Sequence, residues 1–141
     1  MTINYFDSAR RHLGDGHCLQ AAGRLANAGQ LFGFSVECGL KAVLVRLGVQ
    51  TTLDGNIARA TGLREHEPKL SNAISTLSTL PDGRAASVLL AHLPSLGAMG
   101  DWSVDHRYWD TGSVPVTSLG NWELAALEVD SMLDVAFGMG L

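Results

Sequence analysis

Three short stretches of this 141-residue chain hold the side chains able to move a proton or hold an anion. Glu37 and Lys41 stand four residues apart inside the apolar stretch from Leu25 to Leu47. On a helix they are neighbours, in the favourable order with the acid on the N-terminal side. Two opposite charges among apolar residues are costly unless they pair or reach a partner. Two readings follow: a partly solvated ion pair that orients the helix, or one wall of a ligand or active cleft. The same polar stripe carries Asn27 and Gln30.

His66 lies two residues before Pro68, which occupies the position of a first helical residue. A histidine there can meet an anionic ligand together with the free backbone N–H groups of the helix start, and it titrates near neutral pH. The third stretch is Asp101 to Asp110, where Trp102, Tyr108 and Trp109 flank Arg107. Three of the nine aromatic residues fall there, so the segment is expected to pack rather than hang free. Arginine offers phosphate a planar fork of donors, and an aromatic neighbour can stack a base. Asp101, Asp105 and Asp110 could instead simply neutralise Arg107. His106, beside Arg107, is the second histidine of interest. His12, His17 and His92 read as surface or partly buried, at spacings that match no familiar metal site. No metal and no cofactor are expected.

The elements that must position these residues are helices, because alternating β-branched runs are nearly absent. A first helix is predicted from about Asn4 to Ala22, with Phe6, Ala9, Leu13 and Leu19 toward one face. A second, from about Leu25 to Leu47, is apolar over most of its circumference and stops at Gly48, which makes it the central helix. Residues 49 to 65 form a polar connection. A third helix follows Pro68 through Leu70, Ile74, Leu77 and Leu80, and a fourth runs from Arg84 to Leu96, bent or ended by Pro94. Residues 97 to 120 are irregular. A fifth helix starts at about Asn121, a reasonable N-cap, with Trp122, Ala125, Val129 and Leu133 on one stripe. The prediction is a single all-α domain, an antiparallel bundle of four to five helices over residues 1 to 141.

Composition narrows the function classes. At 46% apolar residues and a mean hydropathy of +0.13 the chain can bury a core, while charges at Glu37, Lys41 and Arg46 interrupt the longest apolar run. No membrane span and no secretory leader are read, and a cytoplasmic location is expected. Cys18 and Cys38 lack disulfide or CxxC spacing and read as buried free thiols. Net charge is −4, divided into +2 over residues 1 to 84 and −6 over residues 85 to 141, where Arg107 is the sole basic residue. That balance excludes a broad positive nucleic-acid surface; RNA contact would be local or made by a dimer.

Taken in order, these residues resemble the HEPN superfamily, helical domains associated with nucleotide and RNA metabolism in prokaryotes. The stretch Gly29 to Leu44, with its small residues leading into Glu37-Cys-Gly-Leu-Lys41-Ala, looks like the second helix of that family, and Gly23 to Ala28 fits the turn into it. His66-Glu-Pro-Lys-Leu70 resembles the entry to its third helix, and Arg107-Tyr108 the Arg-Tyr pair that follows the fourth. Many members are metal-independent ribonucleases, often toxins of toxin–antitoxin or phage-defence systems, that use an Arg and a His four to six residues apart. Others are noncatalytic modules encoded beside a nucleotidyltransferase. Arg107 has no histidine four to six residues downstream. The enzyme reading is therefore an atypical ribonuclease with His66 and Arg107 as catalytic residues, supported by Glu37, Lys41, His106 and Tyr108; the resemblance implies an RNA or nucleotide ligand. It also implies a homodimer and an antitoxin or nucleotidyltransferase partner. The alternatives are a noncatalytic HEPN module and a structural adaptor that docks through its last helix and the apolar end, residues 137 to 141.

Overall fold

Helix α1 (Tyr5–Ala21) turns through Gly23 into α2 (Leu25–Arg46), the axis of the molecule. This computed structural model describes residues 1 to 138. Asn4 caps α1 by accepting the Asp7 N–H with its side chain. Gly23, at φ 73°, supplies the left-handed residue that lets the chain reverse after one turn of capping hydrogen bonds. At the far end of α2, Gly48 takes the same role at φ 95°. There the Gly48 and Val49 N–H groups donate to the carbonyls of Val45 and Leu44.

The buried face of α2 is built around missing side chains. A Cβ on Gly33 would fall 1.9 Å from the Trp102 indole, one on Gly29 2.6 Å from Trp122, and one on Gly39 2.2 Å from Val129. Helix interiors disfavour glycine by about 1 kcal/mol each, so these positions are occupied by the close approach of bulky neighbours rather than by helix preference. Phe32, Val36, Leu40, Val43 and Leu44 fill the remaining circumference and are fully buried. Among the described residues α2 is also the helix long and apolar enough to cross a membrane, but 78% of its most apolar 18-residue window is covered by the rest of the chain.

Helix α5 (Leu119–Gly138) lies along α2, with Leu119 and Trp122 at Gly29 and Val129 at Gly39, so the two run in the same direction. Helix α1 is antiparallel to both: its Gly16 meets Phe32, and its Ala9 carbonyl accepts from Ser35. Arg10 reaches Asp130 and Asp134 of α5, while Gln20 donates to Glu123. The expected antiparallel arrangement thus holds for α1, while α2 and α5 are parallel.

The all-α prediction holds, and several boundaries move. Helix α3 (Lys69–Ser75) stops short of Leu80 because Ser75 and Thr76 turn their hydroxyls onto the carbonyls of Asn72 and Ala73, competing with the next helical bonds. Helix α4 spans only Ala86–Ala91. The Asp82 side chain holds the Arg84 N–H in a turn before it, and Pro94 opens a 3-10 segment after it. The stretch from Pro94 to Ser118 is a chain of 3-10 turns over Leu96, Met99, Trp102 and Val114, all buried. These turns lead directly into α5 at Leu119, so Asn121 lies inside the helix and does not cap it. Cys18 is exposed and Cys38 half-buried, so only one of the two free thiols is shielded, and burial pushes Cys38 up to about 11.

Candidate functional site

The polar stripe of α2 is where the chemistry-bearing residues collect. Gln30, Phe34, Glu37 and Lys41 repeat at helical spacing and share one face. Lys41 Nζ donates to Glu37 Oε1 at 2.7 Å, and the two side chains are only 7% and 8% exposed. The second carboxylate oxygen, Oε2, lies 2.8 Å from His66 Nδ1. Glu37 therefore spends both oxygens on partners from two segments, and the cost of burying its charge is offset by a cation and a hydrogen bond. The His66 ring remains 53% exposed. In the tautomer with the proton on Nδ1, that nitrogen donates to Glu37 and Nε2 keeps a lone pair on a half-exposed ring.

Local structure brings His66 to this place. The polar connection doubles back at Gly55 and bridges Thr51 to Ile57. It is fastened to α1 by Tyr5, whose hydroxyl donates to Asn56 and accepts from the Ile57 N–H. Burial of Ile57 and Leu63 then returns the chain to α2, and the His66 carbonyl accepts the Leu70 N–H in the entry to α3. The Tyr5 ring also faces the cluster, with Lys41 Nζ 5.8 Å from its centre.

Two members of the cluster were not anticipated. Glu67 is 3% exposed, and Ser71 Oγ lies 2.8 Å from each of its carboxyl oxygens. Burial raises this carboxyl to about 7, a shift partly opposed by the hydrogen bonds from Ser71 and by Lys41, and reinforced by Glu37. The signal was its spacing: Glu67, Leu70 and Ile74 fall on the one buried face of α3 and its entry. Next to α2, burial also lowers His12, whose ring packs on Phe34.

His106, Arg107 and Tyr108 stand apart from this cluster. They lie on the 3-10 turn Val104–Tyr108, which meets α2 at Gln30, whose Nε2 donates to the Val104 carbonyl at 3.2 Å. Gln30 and Glu37 are two turns apart on the same face, about 10 Å along the axis. Among the described residues no ion pair or hydrogen bond joins Arg107 to Glu37, Lys41 or His66, nor to Asp101, Asp105 or Asp110. Its guanidinium lies 4.7 Å over the Tyr108 ring instead. Asp101 serves the fold, accepting from Trp122 Nε1 at 2.9 Å and from Ser118. Trp102 is buried and donates to the Gly29 carbonyl at 3.0 Å, so it anchors the segment without facing a ligand. His106 is buried as well, sandwiched between Trp109 and Trp122 with neither ring nitrogen partnered, and burial lowers its pKa.

No family model, curated protein or solved structure matches this chain. Among the described residues no group of three or more His, Cys, Asp or Glu side chains is placed to hold a metal ion.

The cluster can do proton chemistry. A carboxylate that orients an imidazole through Nδ1 sets Nε2 as the acceptor and stabilises the imidazolium that forms when it takes a proton. Glu67, raised to about 7 and within the electrostatic reach of Glu37 and Lys41, is a second group of the cluster able to hold a proton.

Proposed function

We propose that the chain is a HEPN-like, RNA- or nucleotide-associated protein in which His66, oriented by Glu37 and Lys41, is the proton-transferring residue of a metal-independent ribonuclease. The observation that carries this reading is the bridging of Glu37 by Lys41 at 2.7 Å and His66 at 2.8 Å. It joins two of the stretches on which the family resemblance rests. His66 Nε2 would accept the proton of a ribose 2′-OH as that oxygen attacks the adjacent phosphate; the P–O5′ bond breaks, leaving a 2′,3′-cyclic phosphate, and the departing 5′-oxygen takes a proton from solvent. Arg107, on the turn that meets α2 at Gln30, would neutralise phosphate charge on a strand that reaches from His66 to that turn. A homodimer is part of the proposal; Leu124, Leu127 and Val135 form an exposed apolar stripe on α5 that a second copy would cover.

The separation of Arg107 from the cluster favours one rival, a noncatalytic HEPN module that binds a nucleotide or a partner such as an antitoxin or a nucleotidyltransferase. The structural-adaptor alternative used the end of the chain, of which residues 139 to 141 lie outside the described residues. Incubation of purified protein with RNA in the presence of a chelator tests the enzyme reading. Cleavage and growth inhibition are expected, with a loss of roughly 100-fold or more in folded His66→Ala. Absence of both activities in the unaltered protein replaces the ribonuclease with the binding module.

A further inference from the structure

The turn at residues 106 to 109 has features that the cluster at Glu37 does not use. Trp109 and Tyr108 follow one another and are 48% and 74% exposed. The Trp109 ring is not loosely held: its centre lies 4.5 Å from that of His106, which lies 5.7 Å from Trp122. Trp122 is in turn fixed by its hydrogen bond to Asp101. A row of rings, tilted by 37° and 57° to one another, thus runs from the core to the surface and ends in a half-exposed indole. His106 contributes to it as a flat plate, since its nitrogens bond to nothing and burial favours its neutral form. The Arg107 guanidinium covers one face of the Tyr108 ring at 4.7 Å, and among the described residues this anion-binding group has no acidic partner.

We infer that Trp109 and Tyr108, with the Arg107 guanidinium over the Tyr108 ring, form a stacking site for an unpaired nucleobase whose phosphate is met by Arg107. The Trp109 face, already held against His106, loses little freedom when a base stacks on it, and base stacking tolerates any sequence. A single guanidinium among Asp105 and Asp110 supplies one phosphate contact rather than a charged track, so affinity should depend on stacking more than on salt. The inference takes its ligand class from the proposed function and shares Arg107 with it, but the stacking residues Trp109 and Tyr108 have no part in the proposed cleavage and are tested by binding alone, so either can fail alone.

Trp102 and Trp122 are buried, which leaves Trp109 as the tryptophan within reach of a quencher. The full chain is titrated with 5′-AMP, with ribose 5-phosphate, and with an eight-nucleotide adenine RNA, following tryptophan emission and, for a labelled RNA, anisotropy. Saturable quenching by AMP or by RNA is expected, with none from ribose 5-phosphate; quenching by the RNA alone assigns the base to a strand, and quenching by AMP as well admits a free nucleotide. Trp109→Leu should abolish the quenching and weaken RNA binding by about 5- to 150-fold, while Trp109→Phe retains most of it. Arg107→Gln should lower the salt dependence of RNA binding by about one phosphate. If Trp109→Leu fails to fold, Tyr108→Ala carries the same expectation at a more exposed position. The inference is overturned if neither AMP nor RNA quenches saturably, if ribose 5-phosphate quenches as well as AMP, or if the folded Trp109 and Tyr108 variants bind RNA like the unaltered chain.

Discussion

The two ends of one face of α2 solve opposite problems. At Glu37, charged groups are drawn inside and every oxygen of the carboxylate is matched to a partner. Two turns earlier, at Gln30, the adjoining turn turns its polar and aromatic groups the other way. Arg107, Tyr108 and Trp109 face outward, while buried Gln30 Oε1 and the His106 nitrogens go without partners. The first region is held by electrostatics that fail when one member is removed. The second is held by rings packed at a tilt against one another, with the Trp122–Asp101 hydrogen bond at the inner end. A site that must keep a proton in place benefits from the first construction, and a surface that accepts any flat ligand benefits from the second.

The largest difference should appear when one partner is deleted. Glu37→Ala leaves Lys41 buried and uncompensated, and a loss of about 3–5 kcal/mol in unfolding free energy is expected from urea titration. Glu37→Leu combined with Lys41→Met should recover most of that loss; a double variant as unstable as the single one would show that the pair is not the cause.

The next effect is tied to pH. Glu67 keeps its proton in the folded chain up to about 7, whereas the unfolded chain releases it near 4.5. Between those values the folded state binds more protons, so stability falls as pH rises and levels off above about 7. The full effect is up to about 3 kcal/mol. Glu67→Gln should flatten that part of the profile and stabilise the protein at pH 8; an unchanged slope would place the titration elsewhere.

Smaller still is the contact that joins the two regions. Gly33→Ala drives a methyl into Trp102 and should cost about 1–3 kcal/mol, with a change in near-ultraviolet circular dichroism as the indole shifts. The smallest effect belongs to the outward region. Arg107→Ala should alter stability by no more than about 0.5 kcal/mol, by thermal melting. A larger loss would mean that the turn depends on the guanidinium more than on its rings.

Periodicity made much of this architecture legible. Helix α2 starts at Leu25 and ends one residue before the predicted Leu47, because its apolar pattern and its terminal glycine agree. The Glu37–Lys41 pair was legible for the same reason, since spacing of four on a helix is itself a contact. Contacts across the chain were not. That His66 reaches Glu37, 29 positions away, depends on how Tyr5 and Ile57 fold the connection between them. Residues 97 to 120 read as irregular because 3-10 turns have no long repeat to betray them, and their order comes from Trp102 and Met99 entering the core. Pro94 marked a break correctly, but the hydroxyls of Ser75 and Thr76 that shorten α3 act through local competition that an apolar stripe conceals.

The glycine recesses of α2 bear on how the chain acquires its shape. A helix with glycines at 29, 33 and 39 is a poor helix by itself, and a peptide of residues 25 to 46 should be largely unstructured in water. Its order is lent by Trp102, Trp122 and Val129, which are contributed from 69 to 93 positions later than the glycines they cover or nearly so. The central element of the molecule is therefore completed only when the last helix has been synthesised, and truncation before α5 should yield a chain that has lost its middle as well as its end.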